Sequence, residues 1–150
     1  MKTDIIKEEM LPYFGFKGTV EVSESDPVNG IPNIIRTTDA WFVEYQLTAK
    51  GWLNYFLNPS VTWDFEILLE KRGKGEFELP DTLRIHHEAF KPAVFPGSTE
   101  VSFTKRIDIP AGSVEAGTYA VLAEVKMSLN GHPLPLAGYA DLGIFQFFES

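Results

Sequence analysis

The sequence predicts an all-β fold, an antiparallel sandwich of seven to eight strands, on three observations. Apolar and polar residues alternate with period two along several stretches, and turn-forming residues separate those stretches at short intervals. Twelve Phe, five Tyr and three Trp give an aromatic share of 13%, a composition that suits strands better than helices.

The clearest strand is 40–50, where Trp41, Val43, Tyr45, Leu47 and Ala49 share a face against Glu44, Gln46, Thr48 and Lys50. Val61, Trp63, Phe65, Ile67 and Leu69 repeat the pattern over 61–70, against Thr62, Asp64, Glu66 and Glu70. Tyr119, Val121, Ala123, Val125, Met127 and Leu129 do so over 117–129, against Glu124, Lys126 and Ser128. Each such strand has one buried and one wet face, as antiparallel sheets do. Weaker alternation marks 17–23, 76–79, 82–88, 100–109 and 142–149, and the strands drawn from it are 17–23, 76–88, 100–109 and 134–149. Pro80 predicts a bend in the second of these, because it cannot donate to a ladder, and Pro135 with Gly138 predicts a loop in the first half of the last. Turns are expected at Pro27-Val28-Asn29-Gly30, Asn58-Pro59-Ser60, Lys71-Arg72-Gly73, Pro96-Gly97, Pro110-Ala111-Gly112 and Asn130-Gly131. Residues 17–150 read as a single sandwich domain. Residues 1–16 read as an arm or short helix that packs rather than floats, since they carry Ile5, Ile6, Met10, Leu11, Tyr13 and Phe14.

The stretch Val114-Glu115-Ala116-Gly117-Thr118-Tyr119-Ala120-Val121 resembles the tyrosine corner of immunoglobulin-like β-sandwiches. The resemblance implies that the Tyr119 hydroxyl bonds back to upstream backbone after the turn at Gly117, and that Val121 points into the core. It also implies that Trp63 takes the place of that fold's core tryptophan. Val121 stands where antibody domains carry a cysteine, so the likeness covers the corner and not the disulfide. It implies a fold only, and that fold hosts many unrelated functions.

A chain of 150 residues buries a core of its own without staples. The net charge of −8 argues against sequence-independent nucleic-acid binding, which needs clustered cations. The densest basic run, Lys71-Arg72-Gly73-Lys74, has Glu70 and Glu76 beside it and reads as a solvated turn. Without cysteine there is no disulfide framework, thiol nucleophile or thiolate metal site. No stretch approaches the roughly 18 apolar residues of a membrane span, and Met1–Glu9 lacks an apolar run of signal-peptide length. The expected location is cytoplasmic.

Catalytic patterns are not found. His86 and Glu88, two apart on one strand face, are the starting pair for a metal site, with His132 as the further imidazole. Nothing else in the spacing completes a ligand set, so His86 and Glu88 are expected on a wet face and His87 as a half-buried ring. Asp64, Glu66, Glu70 and Glu44 are expected as solubilising charges on the polar side of the sheet. No cofactor is implied.

The unusual feature is grease in the connections. Gly51–Pro59 carries Trp52, Tyr55, Phe56 and Leu57; Ala89–Gly97 carries Phe90 and Phe95; Asn130–Gly138 carries His132, Leu134 and Leu136. In an immunoglobulin-like sandwich these three connections gather at one end. Such residues either plug the open end of the sandwich or form an exposed apolar tip, and exposed apolar patches mark interaction sites. The expectation is a non-catalytic interaction or assembly module that docks another protein chain, or a copy of itself, through these loops and its N-terminal arm. The alternative is a small-molecule or carbohydrate-binding sandwich using Trp52, Tyr55 and His132.

Overall fold

A computed structural model describes residues 2–9, 14–25, 33–73 and 75–149. Among these residues ten strands form: β1 (Lys2–Asp4), β2 (Ile6–Glu9), β3 (Gly15–Glu24), β4 (Ile34–Arg36), β5 (Trp41–Lys50), β6 (Val61–Lys71), β7 (Ile85–Ala89), β8 (Val101–Ile109), β9 (Gly117–Leu129) and β10 (His132–Phe148). A 3₁₀ turn covers Trp52–Tyr55 and one helical turn, α1, covers Asp81–Arg84. One sheet has the order β1-β3-β5-β8; the other runs β2-β10-β9-β6-β7, with β4 added to β10. All pairs are antiparallel except β4 with β10. The protein is therefore an all-β, two-sheet sandwich.

Period-two alternation produces the core directly. Val43, Tyr45 and Leu47 of one sheet face Trp63, Phe65 and Ile67 of the other, all buried. Tyr45 packs against Phe65 with the rings tilted and 4.7 Å between centroids, and its hydroxyl donates to the Glu124 carbonyl at 3.2 Å. A buried phenol needs such a partner. Trp63 is the hub at one end of the core, with Phe14, Phe16, Phe90 and Phe103 around it.

The tyrosine corner is formed. The Tyr119 hydroxyl donates to the Glu115 carbonyl at 2.8 Å, with the ring fully buried edge-on to Phe77 and Phe147. Gly117 leaves room for Lys71, whose Cε would lie 3.2 Å from an added Cβ; the Lys71 ammonium reaches Glu115 at 2.8 Å.

Several expectations require correction. Ten strands replace seven or eight, the additional ones being β1, β2 and β4. Over Lys2–Glu9 the N-terminal segment is extended, not helical, and it is shared between the sheets: β1 pairs with β3 and β2 with β10. Ile5, buried between them, anchors the crossing by donating its N–H to the Gly18 carbonyl at 3.0 Å. Residues 76–88 do not form one bent strand. Pro80 precedes α1, and the strand begins only at Ile85, on β6. The last strand starts at His132 and has no preceding loop, because Asn130 (φ 50°) and Gly131 (φ 81°) close a two-residue turn of the hairpin type. Pro133 and Pro135 are accommodated where the β9–β10 register shifts, between Pro133 and Ala137. Met10, Leu11, Tyr13, the turn at 27–30 and Lys74 lie outside the described residues. Among the described residues no helix is long and apolar enough to cross a membrane.

Candidate functional site: an aromatic loop tip

Strand register brings three connections to one end. β5 ends at Lys50, β6 begins at Val61 opposite Leu129, β7 ends at Ala89 opposite Thr62, and β8 begins at Val101 opposite Ala49. The β5–β6 loop therefore lies beside the β7–β8 loop and the β9–β10 turn.

The first two loops are fastened to each other. Asn54 is buried completely; its side-chain amide donates to the Thr99 carbonyl at 2.5 Å, and its backbone carbonyl accepts from Ala93 N–H at 2.9 Å. Gly51 N–H bonds the Thr99 hydroxyl at 3.2 Å, and the Tyr55 hydroxyl donates to the Gly97 carbonyl. The Phe95–Pro96 peptide in this loop is cis. Two rings stand edge to face around Tyr55: Trp52 at 5.9 Å and Phe95 at 5.4 Å.

The fastened loops keep large apolar groups in water. Trp52 is 61% exposed, Phe56 70%, Phe95 68% and Val94 80%. Transfer of such side chains out of water is worth about 1.5–3 kcal/mol each, so this surface is a standing reserve for association. The β5–β6 loop contains no Asp or Glu, and the β7–β8 loop carries one, the exposed Glu100 at its end.

Other residues expected at the tip belong to the core. Phe90 is buried against Trp63 at 6.2 Å and Phe14 at 6.4 Å. Its N–H bonds the Val61 carbonyl at 2.9 Å, which carries the strand alternation one residue past β7 and turns the ring inward. Leu136 is buried, and Leu57 and Leu134 pack half-buried against the core. Leu134 and Leu136 are strand residues because the turn before β10 is so short. His132 is exposed at the start of β10, and Tyr55 is half-buried beneath Trp52 and Phe95. Plugging and exposure thus coexist, divided residue by residue.

The metal candidates are not brought together. Register sets His86 opposite Phe65 and Glu88 opposite Trp63, on the core side of β7, so the two are half-buried and His87 is the exposed ring, the reverse of the expectation. The His86 ring nitrogen Nε2 bonds the Leu83 carbonyl at 2.8 Å; Glu88 accepts from Lys105 at 3.1 Å, tying β7 to β8 across the sandwich edge. His132 lies on β10, with β9 and β6 between it and β7. Among the described residues no group of three His, Asp or Glu could hold a metal ion. The carboxylates of β6 are engaged locally. Asp64 accepts from Thr62 at 2.8 Å, Ser128 and His87, and Glu66 meets Arg84 at 2.5 Å.

Sequence reasoning missed Asn54 and Thr99, which hold the tip in shape, and Val94, its most exposed member. It also missed a small groove at the end of β5 from which the β5–β6 loop departs, lined by Lys7, Lys17, Lys50 and Glu100. Comparison of the sequence with known protein families and with curated proteins finds no match.

Proposed function

We propose that the protein is a non-catalytic interaction module that docks another protein chain through its loop tip, with Trp52, Phe56, Val94 and Phe95 as anchors. The observation behind this reading is that the two loops are held by mutual hydrogen bonds while the four apolar side chains stay 61–80% exposed. A rigid apolar surface loses little entropy on binding, and Trp is a preferred hot-spot residue. We also read the sandwich as immunoglobulin-like. The corner hydrogen bond, the buried Trp63 and the split of β3-β5-β8 from β10-β9-β6-β7 support that assignment.

The test is association of the Trp52→Ser, Phe56→Ser double variant, by light scattering and by pull-down from native lysate. Loss of association with an unchanged fold supports the tip; unchanged association with an intact fold rejects it. A second reading rests on the Trp52–Tyr55–Phe95 cluster, whose rings could stack against a sugar or apolar small molecule. A thermal-shift screen that stabilises the wild type but not Trp52→Ser would favour it.

A further inference from the structure

Resting on the reading of the tip as a docking surface, we propose that its partner is a second copy of this chain, received in a groove at the opposite end of the six-stranded sheet. Charge points first to this pairing. Lys7, Lys17 and Lys50 come from β2, β3 and β5 to one groove at the tip end of β5, which Glu100 also lines, and Lys91 lies in the β7–β8 loop. None of the four forms an ion pair among the described residues, whereas Arg36, Lys71, Arg84, Lys105, Arg106 and Lys126 all do. A tip collared by four unpaired lysines, against the single carboxylate Glu100 in its loops, calls for an apolar receptor with an acidic rim.

This chain carries such a receptor. On the outer face of the sheet, at the end away from the tip, Leu68, Ala120, Leu122 and Phe77 line a groove of about 960 Å³. That volume lies in the upper range for sites that seat substantial ligands. Glu70, Glu76, Glu78 and Asp141 also line it. Of the cations there, Lys71 is held by Glu115, and Arg84 by Glu66, Glu78 and Asp81; Arg72 is the unpaired exception. Glu70 and Glu76 have no ion-pair partner among the described residues. Unpaired lysines at one end therefore match unpaired carboxylates at the other, and projecting rings match an apolar trough. The two surfaces differ, so the contact is head-to-tail: each copy offers both, and the assembly closes into a ring or extends as a chain.

The experiment is molar mass by light scattering from micromolar to millimolar protein at low salt. It compares wild type, a tip variant (Lys17→Glu with Lys50→Glu), a groove variant (Glu70→Lys with Glu76→Lys) and an equimolar mixture of the two. The exchanged side chains are at the surface, and near-ultraviolet circular dichroism checks that the fold is kept. Wild type should gain mass with concentration, and each charge-reversed variant should associate about tenfold more weakly or worse. Their mixture should recover the mass, since the reversed tip now faces a reversed groove. A wild type that is monomeric throughout overturns the proposal, and monomers that co-sediment with phosphatidylserine vesicles would replace the second copy by a lipid surface. Association untouched by the groove variant, or unrecovered in the mixture, also overturns it. Trp52→Ser with Phe56→Ser separates the two levels. If that variant stops association and the groove variant does not, the tip docks elsewhere; if neither does, tip and groove both fail.

Discussion

Replacing Tyr119 by Phe removes one hydroxyl from the corner and leaves the ring in place. The ring is fully buried and keeps its edge contacts with Phe77 at 5.6 Å and Phe147 at 5.5 Å. What is lost is the 2.8 Å bond to the Glu115 carbonyl. Glu115 is exposed, so its carbonyl can be rehydrated instead of being stranded. The cost is then one net hydrogen bond, about 1 kcal/mol, well short of the ~3–5 kcal/mol for deleting a buried ring. For a chain of this length that corresponds to a fall in Tm of about 2–4 °C. Equilibrium urea unfolding reads it as a lower midpoint at an unchanged slope. An unmoved midpoint would refute the reasoning, because the corner bond would then contribute nothing to folding. A loss above ~3 kcal/mol would refute it in the other direction, by showing that the ring packing had been disturbed.

Trp52→Ser with Phe56→Ser should change stability by no more than about 0.5 kcal/mol per site, whereas Phe90→Ala should cost about 3–5 kcal/mol; urea midpoints compare the two directly. Tyr45 gives a pH effect. Burial first, then the charges of Glu124 and Glu66, hold its hydroxyl far above the ordinary 10.0. The folded chain therefore keeps a proton that the unfolded chain releases, so stability is full below that pH and is lost as pH rises past it. Tyr45→Phe should flatten the decline by up to about 1.4 kcal/mol per pH unit, read from unfolding curves at a series of alkaline pH values. Gly131→Ala places a Cβ at φ 81° and should cost about 1 kcal/mol, seen as a lower Tm.

Strands β5, β6 and β9 were legible because each has one face in the core and one in water, so burial writes itself into the sequence with period two. The corner was legible because its chemistry is local: Gly117, Tyr119 and Glu115 lie within five residues. Elements whose partners are distant were harder. β1 and β2 switch sheets at Ile5, which breaks the alternation, and β4 is a three-residue strand held by β10. In β10 the prolines outweighed the Asn130-Gly131 hairpin signal, because a register shift that tolerates proline leaves no mark in composition. The same limit governed the tip. Trp52 and Phe90 look alike in a loop sequence, and only the hydrogen bond from Phe90 to Val61 sends one ring inward. The polar side chains that shape the tip, Asn54 and Thr99, are 45 residues apart, and nothing local couples them.

Trp52 supplies its own probe of the central claim. Trp41 and Trp63 are each 2% exposed, so Trp52 is the tryptophan that a quencher in water can reach. Acrylamide quenching of tryptophan fluorescence, measured on the monomer and on the associated species separated by size, tests directly whether the tip is the contact. The account predicts a quenchable component in the monomer that is shielded in the complex and absent from Trp52→Phe. Equal quenching in both species would contradict it.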